Sequence, residues 1–532
     1  MNRSVGTSSA ALFSLIAAVL GACGASHLAG GEGPDGGGGG GSTADGASSS
    51  TSESGLGDAP GADVGVVGDG GAYDPFAPQP DQSGGLTNVS SDLNAVLENG
   101  ALADACSQYD AGATDTKTML LCGKSMFFYD TLGTSGLPAA LVQFLAQNFP
   151  DQLGLGFSKL GMIPDPSSTT DMPLGIAPAP PLNGSIDAVA FTCASCHFAQ
   201  LPDGRYAVGA PNHGYDYARH ILDITLVPTI GSGLSQASAH DPAAVAMVQP
   251  VLDALSSNST LKGQLLSTLL PLASLKQPAM TTDIEHDYTE WPTGTMDFLI
   301  APLPVDDHVH TVSKIQALWG IPSPEEVSAT GMPSALLAST GDAPDLTTFV
   351  WSFGVVGGAA SPPTAAHMAP LVAYILSLRA PSNPTPPDPS LVSTGASLYV
   401  SKGCATCHDG PRGSGKRAYA ISEVGTDPAM AEWADPDGGP VACCGVPTAP
   451  GGLTHGLKSP RLVGMWTMGR FLHNGALSSL QQLFCMDADA GAGDAGRPPA
   501  GTVPMETTGH DFTCTGLADS EKQALVAYLL SH

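Results

Sequence analysis

The chain has 532 residues, with 19 basic and 49 acidic side chains, a formal net charge of −30 and 6% aromatic residues. This acidic excess argues against nucleic acid and against a basic membrane-surface patch as a means of binding. The length is enough for two or three domains, and the many Gly and Pro residues predict a loop-rich globular body.

An export signal is predicted at residues 1–22. Arg3 precedes an apolar run from Ala10 to Leu20 that is too short and too early for a membrane-spanning helix. The following Leu-Gly-Ala-Cys23 resembles a bacterial lipobox. This resemblance implies lipidation at Cys23 and an exported, lipid-anchored protein on the outer membrane, facing the periplasm or the cell surface. The alternative is a plain secretory signal with an incidental cysteine.

Residues 23–82 are predicted to be a disordered tether. They are rich in Gly, Ser, Ala and Asp and contain hardly any aromatic residues. Such a stretch cannot bury enough apolar area to offset the entropy of ordering it.

In an exported protein, cysteines can pair as disulfides. The expected pairs are Cys106 with Cys122 in the first folded segment, and Cys485 with Cys514 around a Gly-rich loop. Cys443 and Cys444 are adjacent, and they form either a strained vicinal bridge or bonds to other partners.

Two Cys-x-x-Cys-His motifs are the strongest functional signal. They comprise Cys193, Cys196 and His197, and Cys404, Cys407 and His408. Two thiols at this spacing can add to the two vinyl groups of one haem, and the histidine then reaches the iron. A zinc ribbon instead has its two pairs about 15–20 residues apart. The motifs predict two covalently bound haem c groups, and a calcium ion is a further candidate cofactor.

A sequence repeat predicts the domain organisation. Leu371–Tyr374 and Leu525–Tyr528 both read LVAY, each after a motif, and the last helix is expected to start at Asp519 or Ser520. The stretch around the second motif and the last helix resemble small cytochromes c. This resemblance implies a mainly α fold of two tandem cytochrome c domains, residues 83–381 and 390–532, the first enlarged by loop-rich insertions. The alternative is two unrelated amphipathic helices.

The stretch from Gly456 to Phe484, with its Leu-His-Asn-Gly block, resembles the bacterial di-haem c-type oxidoreductases, which include cytochrome c peroxidases and rubber oxygenases. The rubber oxygenase group implies His473 as the second ligand of the C-terminal iron. The peroxidases use a methionine, for which Met486 is the nearest match, with Met465 and Met468 as rivals.

Around the first haem, the same resemblance implies a distal site. His213 stands 16 residues after His197, like the distal histidine of the peroxidases, and is a candidate iron ligand or general base. His220 is a second candidate, and a loop-stabilising or surface histidine is the alternative. The segment from Tyr288 to Ile321 resembles the region above the first haem. Its candidate catalytic or relay residues are Glu290, Trp291, His308, His310 and Trp319.

The resemblance implies a peroxidase-like oxidoreductase that passes electrons from the C-terminal haem to the N-terminal haem. Its expected partners are periplasmic electron-transfer proteins, with peroxide or O₂ as substrate. Two alternatives stay open: a non-catalytic electron-transfer cytochrome with both irons six-coordinate, and a rubber-oxygenase-like dioxygenase.

Overall fold

The computed structural model describes residues 74–77, 79–113, 115–182, 184–220, 242–269, 291–297, 312–356, 359, 361–426, 428, 456–486 and 507–532. Several predicted features lie outside these ranges: the signal, most of the tether, Cys23, Cys443, Cys444, Glu290, His308 and His310.

Helices dominate the secondary structure, at about 44% against 12% for strands, so the mainly α prediction is confirmed. The helices are α1 (Leu93–Val96), α2 (Ala105–Asp110), α3 (Thr116–Tyr129), α4 (Ala139–Asn148), α5 (Pro150–Leu153), α6 (Cys193–His197), α7 (Tyr217–His220), α8 (Pro242–Ser257), α9 (Ser259–Leu269), α10 (Pro324–Thr330), α11 (Leu346–Val356), α12 (Ala365–Ser377), α13 (Pro389–Ser401), α14 (Ile421–Val424), α15 (Leu480–Leu483), α16 (Phe512–Thr515) and α17 (Asp519–Leu530). Within the described ranges, none of them combines the length and the apolar character needed to cross a membrane.

The strands are short and antiparallel. They are β1 (Val89–Ser90), β2 (Leu137–Pro138), β3 (Ile176–Leu182), β4 (Ile186–Phe191), β5 (Phe198–Gln200), β6 (Tyr206–Val208), β7 (Thr295–Asp297), β8 (Val312–Lys314), β9 (Ala418–Ala420) and β10 (Gly456–Lys458). They form sheets in the orders β1-β6-β5 and β2-β4-β3, and the pairs β7-β8 and β9-β10. The first motif, α6, joins β4 to β5, so two small sheets hold it at both ends.

In the N-terminal half, α3 and α12 cross at a glycine. The Asp115 carboxylate caps α3 by accepting a hydrogen bond from Thr118 N (3.0 Å). A Cβ atom on Gly123 would lie 2.0 Å from the Pro370 carbonyl oxygen and 2.6 Å from Tyr374 Cβ. Only glycine allows the two helices to approach this closely.

In the C-terminal half, α13 and α17 cross in the same way. A Cβ atom on Gly395 would lie 2.1 Å from the Ala524 carbonyl oxygen and 2.6 Å from Tyr528 Cβ. Helix α17 begins at Asp519, one of the two predicted starts, and the Glu521 side chain accepts a hydrogen bond from Ala518 N (2.9 Å).

The two helix pairs are therefore related. Tyr374 and Tyr528 each end an LVAY sequence, and each faces the glycine of its partner helix. The glycines open similar sequences, Gly123-Lys-Ser-Met-Phe and Gly395-Ala-Ser-Leu-Tyr. The repeat of LVAY is thus also a repeat of helix packing, which is not expected of two unrelated helices.

The connection between the first helix of each pair and the motif is longer in the N-terminal half than in the C-terminal half. Helix α13 ends at Ser401, just before Cys404, whereas α3 ends at Tyr129 and residues 130–192 separate it from Cys193. This inserted stretch contains β2, β3 and β4. By its glycine crossing, α3 corresponds to α13, although it lies much further from its motif.

The predicted tether extends too far. Phe76 stacks on His532 with ring centroids 4.0 Å apart, and it meets Tyr399 and Tyr528 edge-on. The Pro75 carbonyl also accepts a hydrogen bond from Arg412 N (2.7 Å). An aromatic ring can bury enough area to order this end, so the folded body begins before residue 83.

Both predicted disulfides are confirmed. One joins Cys106 to Cys122 and so ties α2 to α3. The other joins Cys485 to Cys514 and ties the chain after α15 to α16.

Candidate functional site

The first motif is anchored through small polar residues. Thr192 Oγ1 donates to the Phe128 carbonyl (3.0 Å), and Ser195 Oγ donates to the Gly175 carbonyl (2.5 Å). Gly175 has φ +97°, and a Cβ atom there would lie 2.4 Å from Ser195 N. Only glycine permits this conformation and this approach.

The first motif presents two neutral thiols and a neutral imidazole. Cys193 and Cys196 are free, and burial raises the pKa of each to about 12. Burial also lowers the pKa of His197 to about 4. Its Nδ1 is buried and has no hydrogen-bond partner in the described part of the chain. An uncharged imidazole is the form that binds metals.

The second motif is held by two tyrosines. Tyr399 Oη donates to the His408 carbonyl (2.8 Å), and Tyr419 Oη donates to the Cys407 carbonyl (3.1 Å). His408 Nδ1 lies 2.5 Å from the Gly413 carbonyl oxygen. Because a carbonyl only accepts, Nδ1 carries the proton and Nε2 keeps a lone pair for a metal.

The properties of these cysteines argue against a redox-active or zinc-binding role for the two Cys-x-x-Cys motifs. The thiols of Cys404 and Cys407 are also free, and burial raises their pKa, whereas a redox-active thiol has a lowered pKa. Among the described residues, no group of three or more His, Cys, Asp or Glu could hold a metal ion. A zinc site built from Cys and His ligands therefore has no counterpart in these ranges.

His213 connects the two halves of the molecule. Its Nε2 accepts a hydrogen bond from Gly469 N (2.9 Å), and burial lowers its pKa to about 4. This contact matches the loop-stabilising alternative. A role as iron ligand through Nε2 requires that this hydrogen bond break.

A buried histidine and a buried tyrosine lie near the first motif. His220 is 2% exposed, and burial lowers its pKa to about 3. The Tyr215 ring lies 5.8 Å from that of His220, and its pKa is raised first by burial and then by Cys196. Within the described ranges, neither Tyr215 Oη nor His220 Nδ1 has a hydrogen-bond partner. Sequence analysis missed Tyr215, although it stands two residues after His213.

The two candidate tryptophans are both buried. Trp291 belongs to the apolar cluster that Cys196 borders. Trp319 donates from Nε1 to the Val208 carbonyl (2.8 Å). Its ring is so close to Gly209 and Gly464 that a Cβ atom on either would approach it within 3 Å. Trp319 therefore lies at the seam between the halves.

The predicted ligands of the second iron lie in two places. The His473 carbonyl accepts a hydrogen bond from Lys314 N (2.9 Å), which places its loop beside β8. Met465, Met468 and Met486 pack in or against the apolar cluster that Cys404 also borders.

Sequence analysis missed His510. Its ring centroid lies 6.4 Å from that of His408, with 53° between the ring planes. A hydrogen bond from Thr513 N to the His510 carbonyl (2.9 Å) and the Cys485–Cys514 disulfide hold this loop. The one available sequence signal was its position directly before the last two helices.

Comparison with known proteins adds no assignment. No family model, no curated protein and no solved structure matches the chain.

Proposed function

We propose that the protein is a di-haem c-type cytochrome, with one haem joined by thioether bonds to Cys193 and Cys196 and the other to Cys404 and Cys407. One observation carries the proposal: each half presents two free, neutral thiols followed by a neutral imidazole, beside a related helix pair. Covalent haem attachment needs this set at this spacing. His197 and His408 are then the proximal ligands.

His510 is our first choice for the second ligand of the C-terminal iron. Two imidazoles on opposite sides of one metal ion have ring centres roughly 6 Å apart, given metal–nitrogen bonds of about 2 Å. The 6.4 Å between the His408 and His510 rings fits this value. His473 and the methionines stay as alternatives from sequence. An iron with two protein ligands is an electron-transfer centre.

We infer a peroxidase-like oxidoreductase in which electrons pass from the C-terminal haem to the N-terminal haem. When bound, the haems supply one-electron redox chemistry. Trp319 supports a path between the two haem sites because its ring packs against Gly209, whose N–H donates to the His197 carbonyl (2.8 Å), and against Gly464 in the other half. Tyr215 Oη and His220 Nδ1 are polar groups in an aromatic surrounding that can orient a small oxidant such as peroxide.

A non-catalytic electron-transfer cytochrome is the second candidate, and His220 favours it. A neutral, buried imidazole near the first motif can supply the second protein ligand of the first iron, as His510 does for the second iron. Both irons are then six-coordinate and leave no position for substrate. Both candidate functions include export, lipidation at Cys23 and periplasmic electron-transfer partners as part of the proposal.

Optical spectroscopy of the exported protein tests these proposals. Two haem equivalents per chain are expected from the pyridine haemochrome, and a protein without haem contradicts the proposal. A high-spin haem that reacts with peroxide supports the peroxidase, whereas two low-spin haems in every redox state leave only electron transfer. His197→Ala is expected to abolish turnover while the second haem stays attached.

A further inference from the structure

Four basic side chains, of which one is buried and three are partly buried, have no carboxylate partner in the described part of the chain. They lie on β8, on β10 and in the loop that follows β10, namely Lys314, Lys458, Arg461 and Arg470. In the described part of the chain, none of them forms an ion pair, and no carboxylate raises the pKa of any of them. Desolvation lowers the pKa of Lys314 to about 8 and that of Arg461 to about 10.

Their hydrogen bonds, where they form any, go to main-chain carbonyls. These bonds run from Lys458 Nζ to Ala335 (3.0 Å), from Arg461 to Ala317 and Trp319 (2.6 and 2.9 Å), and from Arg470 Nε to Thr293 (2.7 Å). Neutral carbonyls satisfy the donors but do not balance the charge.

Two other buried cations do have carboxylate partners, whereas the buried Lys522 donates to the Cys514 carbonyl (3.1 Å). Lys124 pairs with Glu98 (2.7 Å), and Arg412 pairs with Glu326 through both guanidinium ends. With 49 acidic against 19 basic residues, carboxylates are not scarce in this chain. A desolvated charge without a counter-charge is costly, so these four side chains indicate an anion that the described residues do not provide.

Hydrogen bonds connect two of the four cations to the motifs. Arg461 bonds to the Ala317 and Trp319 carbonyls, and Leu318 N between them donates to the Gly209 carbonyl (2.9 Å), whose own N–H donates to the carbonyl of His197 (2.8 Å). Lys458 precedes Ser459, whose carbonyl accepts a hydrogen bond from Gly415 N (3.1 Å), shortly after His408 of the second motif. The missing anion must therefore reach the neighbourhood of both histidines.

We propose that these four side chains bind the propionate groups of the two haems. Each haem carries two carboxylates, so two haems supply four negative charges for four cations. The propionates of both haems then face the seam between the halves, where they balance charge that is otherwise uncompensated. This inference rests on the proposed function, since it needs both haems.

Infrared spectroscopy of haem-loaded protein tests the inference. The haem is labelled with carbon-13 at its carboxyl carbons by feeding labelled precursor, and Lys314→Met and Arg461→Met are compared with the unsubstituted protein. We expect the labelled carboxylate band to shift in each variant, and a labelled carboxyl to become protonated near neutral pH. We also expect the reduction potential of the nearest haem to fall. Lys314→Arg and Arg461→Lys should restore the original band.

Lys124→Met is the control, because it removes a fully buried cation that already has a carboxylate partner, Glu98. It should lower stability without moving the labelled bands. If Lys314→Met does not fold, Arg470→Gln takes its place, since Arg470 is only partly buried. Unchanged labelled bands in the variants overturn the inference. Purified protein without labelled haem instead contradicts the proposed function.

Discussion

The imidazole groups decide which chemistry each half can perform. Burial keeps His197, His213 and His220 uncharged at neutral pH, with pKa values of about 4, 4 and 3. A neutral imidazole offers a lone pair on one nitrogen and a donor on the other. His213 has already used its Nε2 lone pair on Gly469, whereas His408 has used its Nδ1 hydrogen on Gly413 and keeps Nε2 for a metal.

The first prediction concerns His510. If its imidazole is the second ligand of the C-terminal iron, His510→Ala removes the low-spin spectrum of that haem. His510→Met raises its reduction potential, because a methionine ligand favours reduced iron. Both changes are measured by optical and electron paramagnetic resonance spectroscopy with redox titration.

His473→Ala is the matched control for this prediction. It should leave the C-terminal haem spectrum unchanged. The reverse result, with the spectrum altered by His473→Ala and intact in His510→Ala, would restore the ligand implied by the family resemblance.

At the scale of elements, each half depends on a close crossing of two helices. Gly123 and Gly395 allow main chain to approach main chain, and the two LVAY tyrosines cover the crossings. An added methyl group has no space there because its neighbours are a carbonyl group and a Cβ atom, neither of which can move away as a flexible side-chain end can.

The second prediction is that Gly123→Ala and Gly395→Ala each lower the free energy of unfolding by about 3 kcal/mol or more through overpacking. Gly263→Ala is the control, because Gly263 lies in α9 and a Cβ atom there meets nothing within 4 Å. It should raise stability by about 0.5–1 kcal/mol, the usual gain of Ala over Gly in a helix. Denaturant unfolding measures all three, and a neutral Gly395→Ala would contradict the crossing.

At the scale of the whole molecule, the two halves meet through buried polar contacts. Arg412 Nε donates to the Gly320 carbonyl (3.0 Å), and its guanidinium pairs with Glu326 on α10. Burial by itself would raise the pKa of Glu326, but the bonds from Arg412 hold it below its ordinary value. These contacts tie the two halves to each other.

The third prediction is that Arg412→Leu lowers the free energy of unfolding by about 3–5 kcal/mol, the usual loss when one partner of a buried ion pair is removed. Arg417→Leu is the control, because the Arg417–Glu423 pair is exposed to solvent that screens it, so its loss should lower stability much less. Denaturant unfolding measures the free energy of unfolding of both variants. Equal losses in the two variants would show that the Arg412–Glu326 pair contributes no more than an exposed ion pair.

The same pair predicts a pH dependence. Since the folded pKa of Glu326 is lowered, its contribution is complete above the ordinary carboxyl value of 4.5 and is lost as the pH falls through the folded value. Glu326→Gln should therefore flatten this part of the stability profile.

The sequence by itself determined the features that depend on neighbours along the chain: the two motifs, the start of the last helix at Asp519 or Ser520, and the two disulfide pairs. These features are recognised from residue spacing and composition along the chain, without knowledge of the fold. Only the tertiary structure decided that α3 is the counterpart of α13, that Phe76 packs on the last helix, and that His510 approaches His408. These contacts join distant residues, and their cause is shape and burial, which no local pattern records.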